Sequence, residues 1–539
     1  MDLLIRNAKV WTVDPGLPEA EAVAVRNGRI VAVGEDRTVR DAVAPGAEEI
    51  DARGGSVLPG FVDAHNHLHL GSDADAVQLG SATTLDQVRS AIDAFATADP
   101  SRDWIIGEGW NYAALPDRRR PRADDLEGIA PGHPVMVFSY DVHNAWLNRE
   151  AMRRFGIGTP TGDVAFGLVE RDPGTGEPTG FVTDFAVMGL SRDGQAALAS
   201  ASPNFGPDGT YRKLLRSLDM AAELGITTAV DPQNALDDLA LFVKAREQGA
   251  MRSRVIAALF HTPDTTSDDL DAFAEAKRTH DDDRFRVGPI KLYIDDVIEP
   301  HTAAMLEPYA NRPDTRGETF YEPAAFAELI AELERRGFQT FTHATGDRGI
   351  RTVLDAVAHA RDVNGPSDAR HQIVHVECVH PDDLPRFAEL GVVACMQPRH
   401  CAPAIVEDWR ANVGPDRWRH AWPFRSLDAN GATLAFSSDW NVAEMDPLIW
   451  LYTACTRANL DGSDAWIPEE TLDLPTAIRA ATLGSAYANF AEHDRGSIEV
   501  GKQADLVVLS RDVFADEPAA LLDTVVDVTI VDGEVVHRR

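Results

Sequence analysis

Hydrophobic positions recur along this chain in two regimes. Near the start, "LLIRNAKVWTV", "AVAVRNGRIVAVG" and "EEIDARGGSVLPG" alternate apolar and polar residues with period two, which predicts short strands. "RNGR" sets Asn-Gly between two such runs, the signature of a tight hairpin. The end repeats the pattern in "GSIEVGKQADLVVLSRD" and "TVVDVTIVDGEVVHRR", with Asp-Gly as the turn. Two β-rich ends around a long middle predict one small β-sandwich built from residues 1–57 and 490–539.

The middle, residues 58–489, follows the second regime. Apolar, β-branched runs stand at "LPGFVDAH", "GITTAVDP", "SRVIAALF", "RVGPIKLYID", "GFQTFTHA", "HQIVHVE", "GVVACMQP" and "ATLAFSSDW". Stretches with helical periodicity, such as "TYRKLLRSLDMAAELG" and "EPAAFAELIAELERRG", separate most of them. Eight strands alternating with helices predict an α/β fold, a (β/α)₈ TIM barrel. Between the first and second strands lies a large insertion, about residues 72–205, rich in Trp, Pro and Gly. A loop at that point leaves the barrel on the face where active sites form, so the insertion is expected to act as a lid or cap.

Composition narrows the function more than the fold. The apolar (44%) and charged (25%) fractions are those of an ordinary globular protein, but the net charge is -35. A polyanion repels phosphate, which argues against nucleic-acid or anionic-membrane partners. No stretch reads as a signal peptide or a bilayer-spanning helix. Four scattered cysteines (Cys378, Cys395, Cys401 and Cys455) suit reduced thiols in a cytoplasmic protein. A homodimer is the default expectation for a large enzyme of this kind.

The chemistry is concentrated at strand ends. In "LPGFVDAHNHLHL", His65 and His67 are two apart, so on a strand they share a face and can grip one metal ion. His69 continues the alternation past the point where the strand should turn and is read as a supporting or surface residue. His343 ends the fifth apolar run, His375 lies in the sixth, and Asp439 ends the eighth. Polar residues buried in such places need partners, and a shared metal ion would supply one. Lys291 stands inside the fourth run although the chain holds only six lysines among 51 basic residues. Burial favours its neutral, nucleophilic amine. That amine can combine with CO₂ as an anionic carbamate able to bridge metal ions; the alternative is an ion pair with Asp295 or Asp296. Trp110, His143, Glu299, Arg348 and Arg399, in the insertion or just after barrel strands, are candidate substrate contacts.

Together these residues resemble the amidohydrolase superfamily: HxH on strand one, Lys on four, His on five and six, Asp on eight. "THATGDRG", "ACMQPRH", "SSDW", "DPLIWLYTACTR" and "GSIEVGKQADLVVLSRD" are similar to its YtcJ-like branch, amidohydrolase family 3, which includes N-substituted formamide deformylase. The resemblance implies one or two divalent ions, zinc as the usual metal. It further implies that His65, His67 and Asp439 hold one ion, that His343 and His375 hold the other, and that carboxylated Lys291 bridges them. Asp439 and Lys291 would then be the catalytic pair. The reaction implied is hydrolysis of a non-peptide C–N bond, an amide or N-acyl group, in a small molecule by metal-activated water. An ester, lactone or phosphoester hydrolase on the same centre is the alternative, and a non-catalytic barrel a further one. Two positions depart from the branch: Val374 where Glu commonly precedes the strand-six histidine, and Asn441 where Pro often follows "DW".

Overall fold

The computed structural model describes residues 2–71, 76–116, 119–140, 142–158, 164–183, 185, 192–201 and 205–539. The chain divides into two compact units, one formed by Met1–His67 with Leu218–Arg539, the other by Leu68–Ser217.

The first unit contains the barrel. Its eight parallel strands are Phe61–Asp63, Ile226–Asn234, Arg254–Phe260, Phe285–Tyr293, Thr340–Ala344, Gln372–His375, Val393–Met396 and Thr433–Phe436, numbered one to eight below. Each pairs with its sequence neighbours. The seam between strands eight and one is joined by the Ala64 amide donating to the Phe436 carbonyl (3.2 Å) and the Asp439 amide donating to the His65 carbonyl (2.9 Å). Ala64, Val230, Ile256, Phe341, Val374, Val393 and Ala435 fill the interior. All eight apolar runs of the sequence became strands of this sheet, with helices such as Pro323–Arg335 and Asp347–Asn364 between them. The fold is therefore the expected (β/α)₈ barrel.

Both chain ends build the β-sandwich. One sheet runs Arg29–Gly34, Ala22–Arg26, Asp2–Arg6, Glu48–Asp51. The other runs Glu534–Arg538, Val526–Val531, Leu506–Leu509, Ser56–Pro59, Lys9–Trp11, Glu19–Ala20, so C-terminal strands pair directly with N-terminal ones. Leu3, Ile5, Val23 and Val25 of one sheet pack with Val57, Leu506, Val508 and Ile530 of the other. Asn27-Gly28 and Asp532-Gly533 turn their hairpins with positive φ at both residues (50° and 77°; 55° and 72°), the geometry that matches strand twist. The two turns touch: a Cβ on Gly28 would lie 2.9 Å from the Asp532 carbonyl oxygen.

The second unit takes in the inserted segment and has its own architecture. A six-stranded mixed sheet, ordered Leu168–Arg171, Pro178–Thr183, Ala145–Leu147, Val135–Ser139, Ile105–Trp110, Val77–Gln78, packs with the helix Leu85–Ala98. That helix starts at a capping box of Thr84 and Gln87. Among the described residues, no helix is long and apolar enough to cross a membrane.

Candidate metal centre

Strand one ends at Asp63, and the seam contacts with strand eight carry its direction on through His67, whose amide donates to the Trp440 carbonyl (2.7 Å). His65 and His67 consequently aim at one point. Their Nε2 atoms are 3.2 Å apart and lie 3.3 and 3.1 Å from Asp439 Oδ1. The other oxygen of Asp439 is 3.8 Å from His375 Nδ1 and 3.6 Å from His400 Nε2. His65, His375 and Asp439 offer donor atoms that all lie within 4.8 Å of one another.

Backbone placement at this end is strained. His375 (φ 79°), Val376 (52°) and Asp439 (57°) occupy the left-handed region, which costs a non-glycine residue about 1–3 kcal/mol. Surrounding contacts hold them there. Asp63 accepts hydrogen bonds from the Ser438 amide (2.9 Å), the Ser438 hydroxyl (2.6 Å), Asn66 Nδ2 (2.8 Å) and the His65 amide (3.3 Å), tying the ends of strands one and eight together. Burial pushes the Asp63 carboxyl up to about 7 against these donors. Asp295, also raised to about 7 by burial, accepts from the amides of Ala304, Thr345 and Gly346 and so joins the segments after strands four and five. Gly349 is required beside it, since a Cβ there would lie 2.4 Å from Asp295 Oδ2. The Gln397 amide oxygen accepts from His375 Nδ1 (2.8 Å), leaving Nε2 of that ring as the lone-pair donor.

Lys291 lies near the C-terminal end of strand four. It is fully buried, 4.7 Å from the Tyr293 ring centroid and 5.3 Å from that of Phe341, and its amine has no hydrogen-bond partner. The alternative of an ion pair with Asp295 is not formed, because backbone amides occupy that carboxylate. Burial brings the Lys291 amine down to about 7, with Asp439 opposing the shift. Burial likewise drives His65 well below its ordinary value, and the charges of Lys291 and His67 add to this. Burial alone would raise the Asp439 carboxyl, but His67, His400 and Lys291 hold it below the usual carboxylate range.

This donor set fits a divalent cation. Two imidazole nitrogens and a carboxylate oxygen converge at 3.1–3.3 Å, His65 is uncharged, and both Asp439 Oδ1 and Lys291 Nζ are buried without a hydrogen bond. Buried polar atoms in such a state are costly unless something occupies their midst. Imidazole with carboxylate is a donor chemistry that suits zinc.

Other candidate residues are distributed differently. His343 ends strand five with its ring 4.4 Å from that of His375, but its Nε2 lies 3.3 Å from the Asp296 carbonyl oxygen. Arg399 pairs with Glu444 (2.8 Å). Arg348 donates to the Gly317 carbonyl (2.6 Å), which fastens a loop to its helix. Glu299 receives Asn412 Nδ2 on its backbone carbonyl (2.8 Å), and its charge is felt by Glu377. Trp110 and His143 belong to the second unit. Trp110 is fully buried in that unit's core against Tyr112 and Trp146, so it packs rather than lines an open surface. His69 is buried, not exposed.

Sequence reasoning overlooked Asp63, Gln397, Glu377 and His400. A signal existed for two of them: Asp63 precedes His65 by the same spacing of two, and His375-Val376-Glu377 repeats the spacing of His65-Asn66-His67.

Known proteins bear on this arrangement. Residues 48–537 match the model of the Amidohydrolase family. Protein LONG AFTER FAR-RED 3 of Arabidopsis thaliana is 30% identical, over 97% of this chain and 90% of its own length. N-substituted formamide deformylase of Arthrobacter pascens is 28% identical, covering 100% of this chain and 98% of its own. Putative amidohydrolase YtcJ of Bacillus subtilis (strain 168) is 27% identical over 96% of each. Among solved structures, an uncharacterized metal-dependent hydrolase from Pyrococcus horikoshii superposes with a TM-score of 0.74 at 20% identity, covering 96% of this chain and 99% of its own. Strand-end donors, barrel and near full-length family match agree, and the chain belongs to the amidohydrolase family.

Proposed function

We propose that this protein is a metal-dependent hydrolase that cleaves the C–N bond of an amide or N-acyl group in a small molecule. The observation that carries the reading is the buried convergence of His65, His67 and Asp439 beside an unpartnered Lys291 amine. The similarity to N-substituted formamide deformylase supports C–N chemistry.

His65, His67 and Asp439 would hold a divalent ion, zinc on donor chemistry, with His375, His343 and Lys291 completing the cradle. When bound, that ion makes water more acidic and polarises the substrate carbonyl. Neutral imidazoles are needed for ligation, and the low proton affinity of His65 supplies one. Asp439, kept ionised by its surroundings, takes a proton from the attacking water and returns it to the departing nitrogen. Lys291, with its amine lowered to about 7, is free to attack CO₂ through Nζ; N–C bond formation with loss of a proton gives a carbamate that adds an anionic donor. Lys291 itself is fully buried beside Phe341 of the barrel's apolar interior.

The test is direct. Purified protein should contain divalent metal, and His65→Asn and His67→Asn should each lower the bound metal and abolish hydrolysis of a panel of formamides, N-acyl amino acids and hydantoins, with aryl esters as the contrasting class. Full metal content in both variants would overturn the assignment of the site.

A further inference from the structure

We infer that Arg286 and Arg495 form an anion-binding site at the N-terminal end of the barrel, the end away from the metal centre. Its ligand is a small inorganic oxyanion, phosphate or sulfate. The site is independent of the proposed hydrolysis.

Four arginines gather where the barrel meets the sandwich. Arg254 opens strand three, Arg284 precedes strand four, and Arg286 is the second residue of strand four. Arg495 lies between the helix Ser485–Ala488 and the sandwich strand Leu506–Leu509. Two of the four are provided for. Asp505 matches Arg254 at 2.9 and 3.1 Å. Arg284 reaches Glu534 (3.1 Å) and the carbonyls of Arg252 (3.3 Å) and Val531 (3.4 Å). The other two are not: among the described residues, neither Arg286 nor Arg495 has a carboxylate at ion-pair distance. Arg286 makes one side-chain hydrogen bond, from Nη2 to the Asn489 carbonyl. The Arg495 side chain makes none, and its Nε is buried without a partner.

The local charge balance runs against that of the whole chain, which carries -35. Asp505 is buried but already engaged by Arg254, whereas Asp281, Asp283 and Asp494 lie exposed. Burial, with the charges of Arg254 and Arg286 adding to it, brings the Arg495 guanidinium down to about 10 against the pull of Asp505 and Asp494. Burial also lowers Arg286, with Asp281 opposing. A guanidinium stays protonated at physiological pH, so these shifts express an unmet need for negative charge.

Access and geometry suit an oxyanion. Arg286 and Arg495 are each partly exposed, unlike the sealed Arg254, so an ion can reach them from solvent. A guanidinium offers its N–H groups in a rigid fork that matches two oxygens of phosphate or sulfate. One compact turn carries both partners. Asn489 Nδ2 donates to the Ser485 carbonyl (2.9 Å), fixing the residue whose own carbonyl receives Arg286. Six residues on, the Arg495 amide donates to the Ala491 carbonyl (2.9 Å).

Sulfate binding tests this on the intact protein. At constant ionic strength, replacing chloride by sulfate should raise the melting temperature saturably, by about 1–2 °C at a tenfold excess over Kd. Arg286→Met and Arg495→Met should each abolish that rise while leaving bound metal unchanged. In sulfate-free buffer, Arg495→Met should melt no lower than the unsubstituted protein, because repulsion from Arg254 and Arg286 is relieved. Crystals soaked in selenate should show a selenium anomalous peak between the two guanidinium groups, a readout that needs no variant to fold. Equal stabilisation by chloride and sulfate, a sulfate response surviving in either variant, or a lowered sulfate-free melting temperature of Arg495→Met would overturn the inference. Selenate peaks at other surface positions alone would do the same.

Discussion

The two ends of the barrel bury charge in opposite ways. At the N-terminal end, Arg254, the first residue of strand three, makes a two-point ion pair with Asp505 of the sandwich, Nε to Oδ2 at 2.9 Å and Nη2 to Oδ1 at 3.1 Å. Its Nη1 donates to the Asp283 carbonyl (2.7 Å), and Asp505 also accepts the Asp532 amide (2.7 Å). Both side chains are 2% exposed and well matched. At the C-terminal end, Lys291 and one oxygen of Asp439 are equally buried yet lack hydrogen bonds, and His375, Val376 and Asp439 hold unfavourable backbone angles. A satisfied buried pair maintains structure; an unsatisfied one, kept in place by Asp63 and Asp295, is what the proposed metal-dependent reading puts to use.

The contrast breaks most sharply at Asp439. Asp439→Asn should lower kcat/KM by about 10³-fold, some 4 kcal/mol of transition-state stabilisation, while the metal-free protein melts no lower than before. A fall of less than tenfold in steady-state assays would put this residue among the structural ones. Next in size, Asp505→Asn strands the Arg254 guanidinium in the interior and should cost about 3–5 kcal/mol in urea unfolding, with activity per folded molecule retained. A loss under 1 kcal/mol would show that the two ends are not different in kind. Lys291→Met removes an unpartnered buried amine, so it should leave the metal-free protein as stable as before or up to about 1 kcal/mol more stable, while abolishing turnover. Marked destabilisation in calorimetry would mean that the amine has a structural partner.

The smallest effect is in the pH dependence. The Asp505 carboxyl is held below its ordinary value by Arg254, although burial opposes this. The pair's stabilisation is therefore fully present above about pH 4, where an unfolded-state aspartate is ionised, and is lost as pH falls through the lower folded-state value. The unsubstituted protein should lose stability faster than Asp505→Asn on acidification below pH 4. Parallel curves would remove Asp505 from the acid response.

The barrel was legible because its apolar runs are strongly patterned and each one formed a strand. Lys291 stood out through rarity, and His65 with His67 through spacing. Glu377 and His400 were missed because each follows its strand, where side-chain direction is set by tertiary hydrogen bonds rather than by periodicity. The supporting roles of Asp63 and Asp295 depend on amides from distant segments, Ser438 for one and Ala304 and Thr345 for the other, which no local pattern encodes. The insertion misled differently: its strands are short, from two to six residues, so its sheet was hidden behind a Trp-, Pro- and Gly-rich composition.

Strand Ser56–Pro59 finds its partner in Leu506–Leu509, about 450 residues further along the polypeptide. At a synthesis rate of roughly 5–20 residues per second, the opening strands wait on the order of 20–90 s on the ribosome before the sheet they belong to can close. During that interval an apolar edge is open to wrong pairing, and the paired glycine turns can meet only after translation has delivered both. The sandwich is thus a clasp fastened last, and losing even its final two strands should strand the newborn chain at its most aggregation-prone stage.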